Sequence, residues 1–305
     1  MKSILVTGSC GLVGGALRPA LESRGIHVRG LDLRAEKNSE KGDVYNRERV
    51  RAAFDNIQGV VHLAAVSRVV WAEKDPDLCQ QTNIDGLRNV LNAAKRCAPA
   101  PWVIFASSRE VYGQPDRLPA TEDSPLRPMN IYGRSKVEGE RLVLEARNSG
   151  LRTCIVRLSN VYGSTRDHAD RVVPAFAKGA ALGKTLRVDG PDHTFDFTHI
   201  DDTTQGIVAL VEHLMRGSDA LPPIHFLTGQ PTTLGQLAEM AVNIGAMGSS
   251  IEPAPPRSYD VANFYGCPDR ARELLDWSPR VTLKDGLTRL IRDFREEKAE
   301  KGGVL

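Results

Sequence analysis

The stretch VTGSCGLVGGAL, residues 6–17, limits what this chain can fold into more than any other. It follows a short β-rich run, SILVT, and opens a pattern that reads as a helix. Gly8, Gly11 and Gly14 have the spacing G-x-x-G-x-x-G. Glycine here lets the backbone turn tightly, so that unpaired N–H groups at the helix start can face a pyrophosphate. With Leu12 and Val13 these glycines form a candidate phosphate cradle. Asp32 ends the next predicted strand, about twenty residues further on. A carboxylate there accepts from a ribose 2′-hydroxyl and repels a 2′-phosphate, so the pattern predicts a dinucleotide site that takes NAD rather than NADP. Arg34, close by, pulls in the opposite direction. Cys10 reads as a small side chain tolerated within the loop. Pro19 falls inside the predicted first helix, where it removes a hydrogen bond and should kink it.

Apolar runs recur at 3–8, 27–33, 59–65, 101–108 and 152–161. They are continuous rather than alternating, as expected of strands covered on both faces. Helical patterns separate them. In TNIDGLRNVLNAAKRC, Ile84, Leu87, Val90, Leu91 and Ala94 share one face, and GRSKVEGERLVLEARNSG closes at Gly150. Strand alternating with helix requires crossover connections, hence a parallel sheet. Residues 1–163 therefore read as a doubly wound α/β domain. The helix THIDDTTQGIVALVEHLM and the strand IHFLTG, within 196–229, are expected to return to it. Residues 164–195 and 230–305 are expected to form a smaller, discontinuous substrate domain, with GSSIEPAPPRSYD its most loop-like segment and REEKAEKGG a solvated, frayed helix end.

Composition narrows the class. A net charge of +2 over 305 residues gives no electrostatic footprint for nucleic acid or a membrane surface. No apolar run approaches the roughly 20 residues of a membrane span. MKSILVTG moves straight into a strand without the apolar core and cleavage site of a signal peptide. The five cysteines are scattered and lack metal-like spacing, which predicts reduced thiols, no metal and a cytoplasmic protein.

The fourth run ends FASSREVYG, which puts Ser107, Ser108, Arg109 and Glu110 at the carboxyl end of a strand, the edge that faces the ligand crevice in open α/β sheets. Tyr132 begins a helix after PLRPMN, and Lys136 lies one turn on, on the same face. An ammonium beside a phenol is expected to favour phenolate and lower the tyrosine pKa. Tyr132 then becomes a general base, with Ser108 bonding the oxygen that loses its proton.

The set TGSCGLVG, HLAA (62–65), SSREVYG (107–113), YGRSK (132–136) and RLSNVYG (157–163) resembles an extended short-chain dehydrogenase/reductase. It is most similar to the NAD-dependent epimerase/dehydratase family acting on nucleotide sugars, and the similarity continues through FDFTHIDD to ARELLDWSP. The resemblance implies a Rossmann-type sheet and a catalytic triad of Ser108, Tyr132 and Lys136, with Lys136 also contacting the nicotinamide ribose. It implies adenine contacts at Asp43 and Val44, and a cofactor wall of Leu63, Ala64 and Ala65. Asn83 would lie near the active site, and Asn160 would hold the substrate's diphosphate region, with Ser67 a further candidate substrate contact. It also implies a homodimer through a four-helix bundle of the helices bearing Asn83 and Tyr132. On the residues alone, Asn83 serves equally to satisfy a backbone group, and His62 reads as a packed strand histidine.

Two departures bear on the substrate. Many 4-epimerases of the family carry small residues where this chain has Arg109–Glu110. A glutamate at the second position is typical of the 4,6-dehydratases and uronate decarboxylases. Dehydratases pair it with an acid, and an arginine cannot donate a proton at neutral pH. Arg109 is left either to bind a substrate carboxylate or phosphate, or to pair with Glu110 or Asp123. Phe195 replaces an arginine that commonly grips the diphosphate, with Arg187 or Arg166 as candidate substitutes. The expectation is a nucleotide-sugar epimerase working by transient C4 oxidation and hydride return. The alternatives are a dehydratase or decarboxylase using Glu110, a net sugar dehydrogenase or reductase, and a non-catalytic cofactor sensor.

Overall fold

The central apolar runs are filled at even and odd positions alike, and the computed structural model, which describes residues 3–257 and 261–302, places a packed layer on each face. In chain order the elements are β1 (Ser3–Thr7), α1 (Leu12–Glu22), β2 (Val28–Leu31), α2 (Arg47–Ala53), β3 (Ile57–His62), α3 (Val69–Lys74), α4 (Pro76–Gln80) and α5 (Gly86–Lys95). There follow β4 (Trp102–Ser108), α6 (Ile131–Asn148), β5 (Thr153–Leu158), β6 (Asn160–Tyr162), α7 (Val172–Ala181), β7 (Leu186–Asp189) and β8 (Thr194–His199). The chain continues as α8 (Ile200–Met215), β9 (Ile224–Phe226), β10 (Pro231–Thr233), α9 (Leu234–Gly245), β11 (Ile251–Ala254), α10 (Asp269–Leu275) and α11 (Leu283–Gly302).

Six strands pair in the order β2-β1-β3-β4-β5-β9, all parallel. This is the doubly wound, Rossmann-type sheet that the sequence predicts. Alternation assigns the faces. Ile4, Val6, Val61, Ile104, Cys154 and Val156 pack with residues of α1 and α8. Leu5, Val60, Val103, Phe105 and Ile155 point the other way, against α2, α5 and α6. A third core joins α7, α9 and α11 through residues such as Phe176, Leu237 and Leu290.

The run 152–161 is not one strand. The backbone leaves the main sheet after Leu158, and β6 pairs instead with β8 in a three-stranded sheet of order β10-β8-β6. α5 is preceded by a π-helical turn, Gln81–Asp85, where the sequence reads as plain helix. α1 continues through Pro19 without ending, and Ser23 N still donates to Pro19 O at 2.9 Å. Part of the segment expected to be loop, Ile251–Ala254, forms β11 beside β7, and residues 258–260 of that segment lie outside the described residues. Of the predicted frayed end, α11 extends to Gly302, and Gly303 lies outside the described residues. Among the described residues no helix is long and apolar enough to cross a membrane.

Candidate active site

The carboxyl ends of β1 to β5 open into a cavity of about 1180 Å³. At one end lies the glycine loop. Gly11 is the N-cap of α1 and has no side chain to bond the first N–H groups, which stay available to an anion. Gly8 has φ +68, and a Cβ there would lie 2.8 Å from Ala64 N. A Cβ on Gly14 would lie 2.3 Å from the Gly8 carbonyl oxygen, so α1 can pack on β1 only without it. The loop is thus a cradle that any larger side chain would fill or push apart.

Asp32, at the end of β2, accepts from Cys10 N at 2.9 Å and from Arg34 N at 2.8 Å. These bonds fix the carboxylate but use only one lone pair on each oxygen, so it can still accept from ribose hydroxyls. Arg34 Nε lies 3.6 Å away. Gly8, Gly11, Leu12, Val13, Gly14 and Asp32 all line the cavity, as do Asp43, Val44, Leu63, Ala64 and Ala65. Ala64 is held to β1 by its N–H to Thr7 Oγ1 at 3.3 Å. Anion-ready N–H groups, a ribose acceptor and an apolar wall together fit NAD.

At the other end of the cavity stand Ser108, Tyr132 and Lys136. Ser108 ends β4, and its Oγ accepts from Glu110 N at 3.2 Å. α6 carries the other two and starts where it does because Asn130 caps it, its Oδ1 accepting from Gly133 N at 2.7 Å. Lys136 Nζ donates to Ala106 O at 2.8 Å and sits 5.7 Å from the centroid of the Tyr132 ring.

The expected direction of the tyrosine's pKa is reversed. Burial pushes the Tyr132 phenol up to about 12; the hydrogen bond with Ser108 and the charge of Arg171 work against this, while Glu110 adds to it. Burial also pulls Lys136 down to about 8, opposed by Cys79 and Glu140. Desolvation outweighs the neighbouring charge at both groups.

Glu110 is buried with both carboxylate oxygens engaged. Oε1 lies 2.8 Å from Arg109 Nη2, and Oε2 accepts from Asn130 Nδ2 at 2.8 Å. Arg109 therefore pairs with Glu110 and not with Asp123, which is held by Arg270 instead. Its guanidinium carbon lies 4.7 Å from the Phe195 ring centroid and 5.8 Å from that of Phe264.

Ser67, Asn160 and Arg187 also line the cavity. Asn160 Nδ2 donates to Asp196 O at 3.2 Å, and Arg187 is exposed and paired with Asp189 at 2.8 Å. Asn83 does not reach the cavity. Its side chain is fully employed behind the wall: Oδ1 accepts from Val66 N at 2.8 Å, and Nδ2 donates to Ser135 Oγ at 2.8 Å and Val66 O at 3.2 Å. It braces the connection after β3 rather than touching a ligand. His62 is a packed strand histidine, bonded through Nδ1 to Thr7 Oγ1 at 2.8 Å and pushed down to about 3 by burial.

Three features escape sequence reasoning. Asn130 was within reach, since an asparagine directly before a helix reads as an N-cap. Arg171 was not, because it comes to Ser67 across 104 positions. Nor was the buried cluster under the site, in which Glu140 accepts from Arg157 Nε at 2.8 Å, Arg157 Nη2 at 2.6 Å and Ser107 Oγ at 2.5 Å.

Known proteins match this architecture over nearly its full length. A UDP-glucose 4-epimerase of Mycolicibacterium smegmatis is 30% identical across 96% of this chain and 98% of its own. UDP-glucuronic acid decarboxylase 1 of Arabidopsis thaliana is 28% identical across 96% of this chain and 69% of its own. The structure of Thermus thermophilus UDP-glucose 4-epimerase in complex with NAD superposes with a TM-score of 0.86 at 25% identity, over 99% of this chain and 100% of that one. Residues 4–221, which contain the glycine cradle, Asp32 and the Ser108–Tyr132–Lys136 group, match the model of the NAD dependent epimerase/dehydratase family. The chain is thus an NAD-dependent enzyme and belongs to the NAD-dependent epimerase/dehydratase family.

Proposed function

We propose that this enzyme is a 4-epimerase of a nucleotide sugar. The observation that carries this reading is the double engagement of Glu110, between Arg109 and Asn130. Dehydration or decarboxylation needs a further acid or base beyond the one that serves oxidation. Glu110 is the group placed to supply it, and it is tied at one oxygen to the Arg109 guanidinium and at the other to the Asn130 amide, which restrains it from turning to a substrate. Removing and returning a hydride at one carbon needs only one proton carrier, and Tyr132 fills that role.

When bound, NAD supplies an acceptor that takes the C4 hydride and gives it back. Tyr132 Oη takes the proton of the C4 hydroxyl and later restores it, while Ser108 Oγ bonds the same oxygen. Lys136, fixed on Ala106 O, keeps a donor beside the tyrosine. Because burial holds Tyr132 near 12, the phenol stays protonated near neutral pH until a further positive charge favours the phenolate, and the oxidised nicotinamide would carry one. The nucleotide-sugar substrate is supported by the names of the relatives above. The substrate-binding part would be 164–195 and 230–305, with Ser67, Asn160 and Arg187 as contacts. A cytoplasmic homodimer is consistent with the reading, and Leu144 on α6 leaves a large apolar side chain exposed. Sedimentation would give the oligomeric state.

The test is turnover of a panel of nucleotide sugars in deuterated water, followed by chromatography and mass spectrometry. Interconversion of C4 epimers without deuterium in the sugar skeleton is expected. Loss of water or carbon dioxide, or deuterium at carbon, would move the assignment to a dehydratase or decarboxylase using Glu110. Stoichiometric NADH formation would make it a dehydrogenase.

A further inference from the structure

We infer that Arg171 selects the substrate, and that it takes a sugar with a carboxylate next to the oxidised carbon, a hexuronic acid; this rests on the 4-epimerase reading above. Arg171 is the N-cap of α7 but makes no capping bond with its side chain. The guanidinium instead reaches the segment after β3, where Nη2 donates to Ser67 Oγ at 3.4 Å, and both residues line the cavity. Its Nε lies 3.6 Å from Asp167 Oδ1, an ion-pair distance without a hydrogen bond. That Nε is buried and has no hydrogen-bond partner, and neither has Asp167 Oδ2. A guanidinium carries five N–H donors. Here it is aimed by two loose contacts and left with most of its donor capacity unused.

The place of this cation sets what it can read. Ser67 follows Val66, which packs with Ala72 and Cys79 against Tyr132 in one apolar cluster. Arg171 is therefore fastened one residue from the wall that holds the tyrosine, and among neighbouring charges its own is the one that most favours the Tyr132 phenolate. In the proposed reaction Tyr132 works at the C4 hydroxyl. The adjacent ring carbon, C5, bears the exocyclic C6 group. A cation beside the tyrosine is thus a neighbour of C6, whereas a diphosphate is attached at the far side of the ring, at C1. A C6 carboxylate offers the planar acceptor pair that guanidinium binds best, and a neutral C6 hydroxymethyl leaves those donors unmatched.

The experiment compares UDP-glucuronate with UDP-glucose on the NAD-loaded enzyme, as the wild type and as Arg171→Lys and Arg171→Met. The wild type is expected to favour the uronate by about 100-fold or more in kcat/KM. Arg171→Met should lower the uronate-to-glucose ratio by about 100-fold, and Arg171→Lys should restore part of it. A wild type that uses both sugars equally, or a methionine variant that loses both by the same factor, would overturn the assignment. If neither sugar is epimerised, the 4-epimerase reading fails separately. Calorimetric affinities of the two nucleotides for wild type and Arg171→Met then decide the matter. Unequal weakening keeps Arg171 as the carboxylate contact, and equal weakening removes it.

Discussion

The guanidinium carbon of Arg109 lies 4.7 Å from the centroid of the Phe195 ring, so two residues far apart in the chain are in contact at the cavity wall. Phe195 provides a flat face for a cation, Phe264 a second, and Glu110 the counter-charge. Arg109 thus links Phe195 and Glu110 in one arrangement.

Freeing Glu110 should therefore change the chemistry. Arg109→Met leaves Oε1 of Glu110 without its partner at the cavity wall, while Asn130 still holds Oε2. In deuterated water the variant is expected to incorporate solvent deuterium into the sugar skeleton, or to release by-products, at a rate at least about tenfold above wild type. Mass spectrometry of the recovered nucleotide sugar measures this. An unchanged isotope pattern would mean that Glu110 is inert whether or not it is paired.

Tyr132→Phe removes the proton carrier but keeps the ring that packs on Val66 and Ala72. Epimerisation should fall by about 10³-fold, with NAD affinity changed little, because the glycine cradle and Asp32 lie at the other end of the cavity. Single-turnover rates and a direct NAD titration separate the two effects. A variant that kept a tenth of wild-type activity would show that another group carries the proton.

The ion pair of Arg157 and Glu140 lies under the site with its side chains 5% and 3% exposed. Arg157 also donates to Tyr112 Oη and Glu122 O, both at 2.7 Å. Glu140→Ala leaves a buried guanidinium unmatched and should cost about 3–5 kcal/mol. Replacing both residues by apolar ones of similar size should recover much of that loss. Urea unfolding of the single and double variants tests the pair.

What was legible in the sequence follows from how local each signal is. The order of strands and helices could be read because each strand carries its own two-faced apolar run; Ile4 and Leu5, next to each other, enter different cores. The cradle could be read because Gly8, Gly11, Gly14 and Asp32 are fixed by spacing along the chain. The break after Leu158 could not, since the residues on both sides are equally strand-like and only pairing with the distant β8 separates them. Long-range pairs were equally hidden: nothing in either segment announces that Arg171 meets Ser67, or that Phe195 lies over Arg109. The direction of the Tyr132 pKa is hidden for a related reason. The Tyr-x-x-x-Lys spacing displays the charge, but not the burial that outweighs it.

Burial of Lys136 gives a last prediction, which concerns stability. Its pKa is about 8 in the folded enzyme against 10.5 for the free side chain. Between those values the unfolded chain binds the proton and the folded chain does not, so stability contributed by this group rises with pH across that window. Below pH 8 the charged amine is buried at its full cost, on the order of 3 kcal/mol. Lys136→Met removes that cost but leaves the Ala106 carbonyl without its donor, which takes back about 1 kcal/mol. Without ligand, the variant should therefore be more stable than wild type by about 1–2 kcal/mol at pH 7. The advantage should shrink as pH rises from 8 toward 10.5. Tyr132, held above its ordinary value, makes stability fall above pH 10 in both proteins and largely cancels from the difference. Urea midpoints of the two proteins at pH 7 and near pH 10 measure the effect. A variant less stable than wild type at pH 7 would mean that the ammonium is better solvated in the folded site than its burial implies, and that the enzyme keeps its lysine at no cost to its fold.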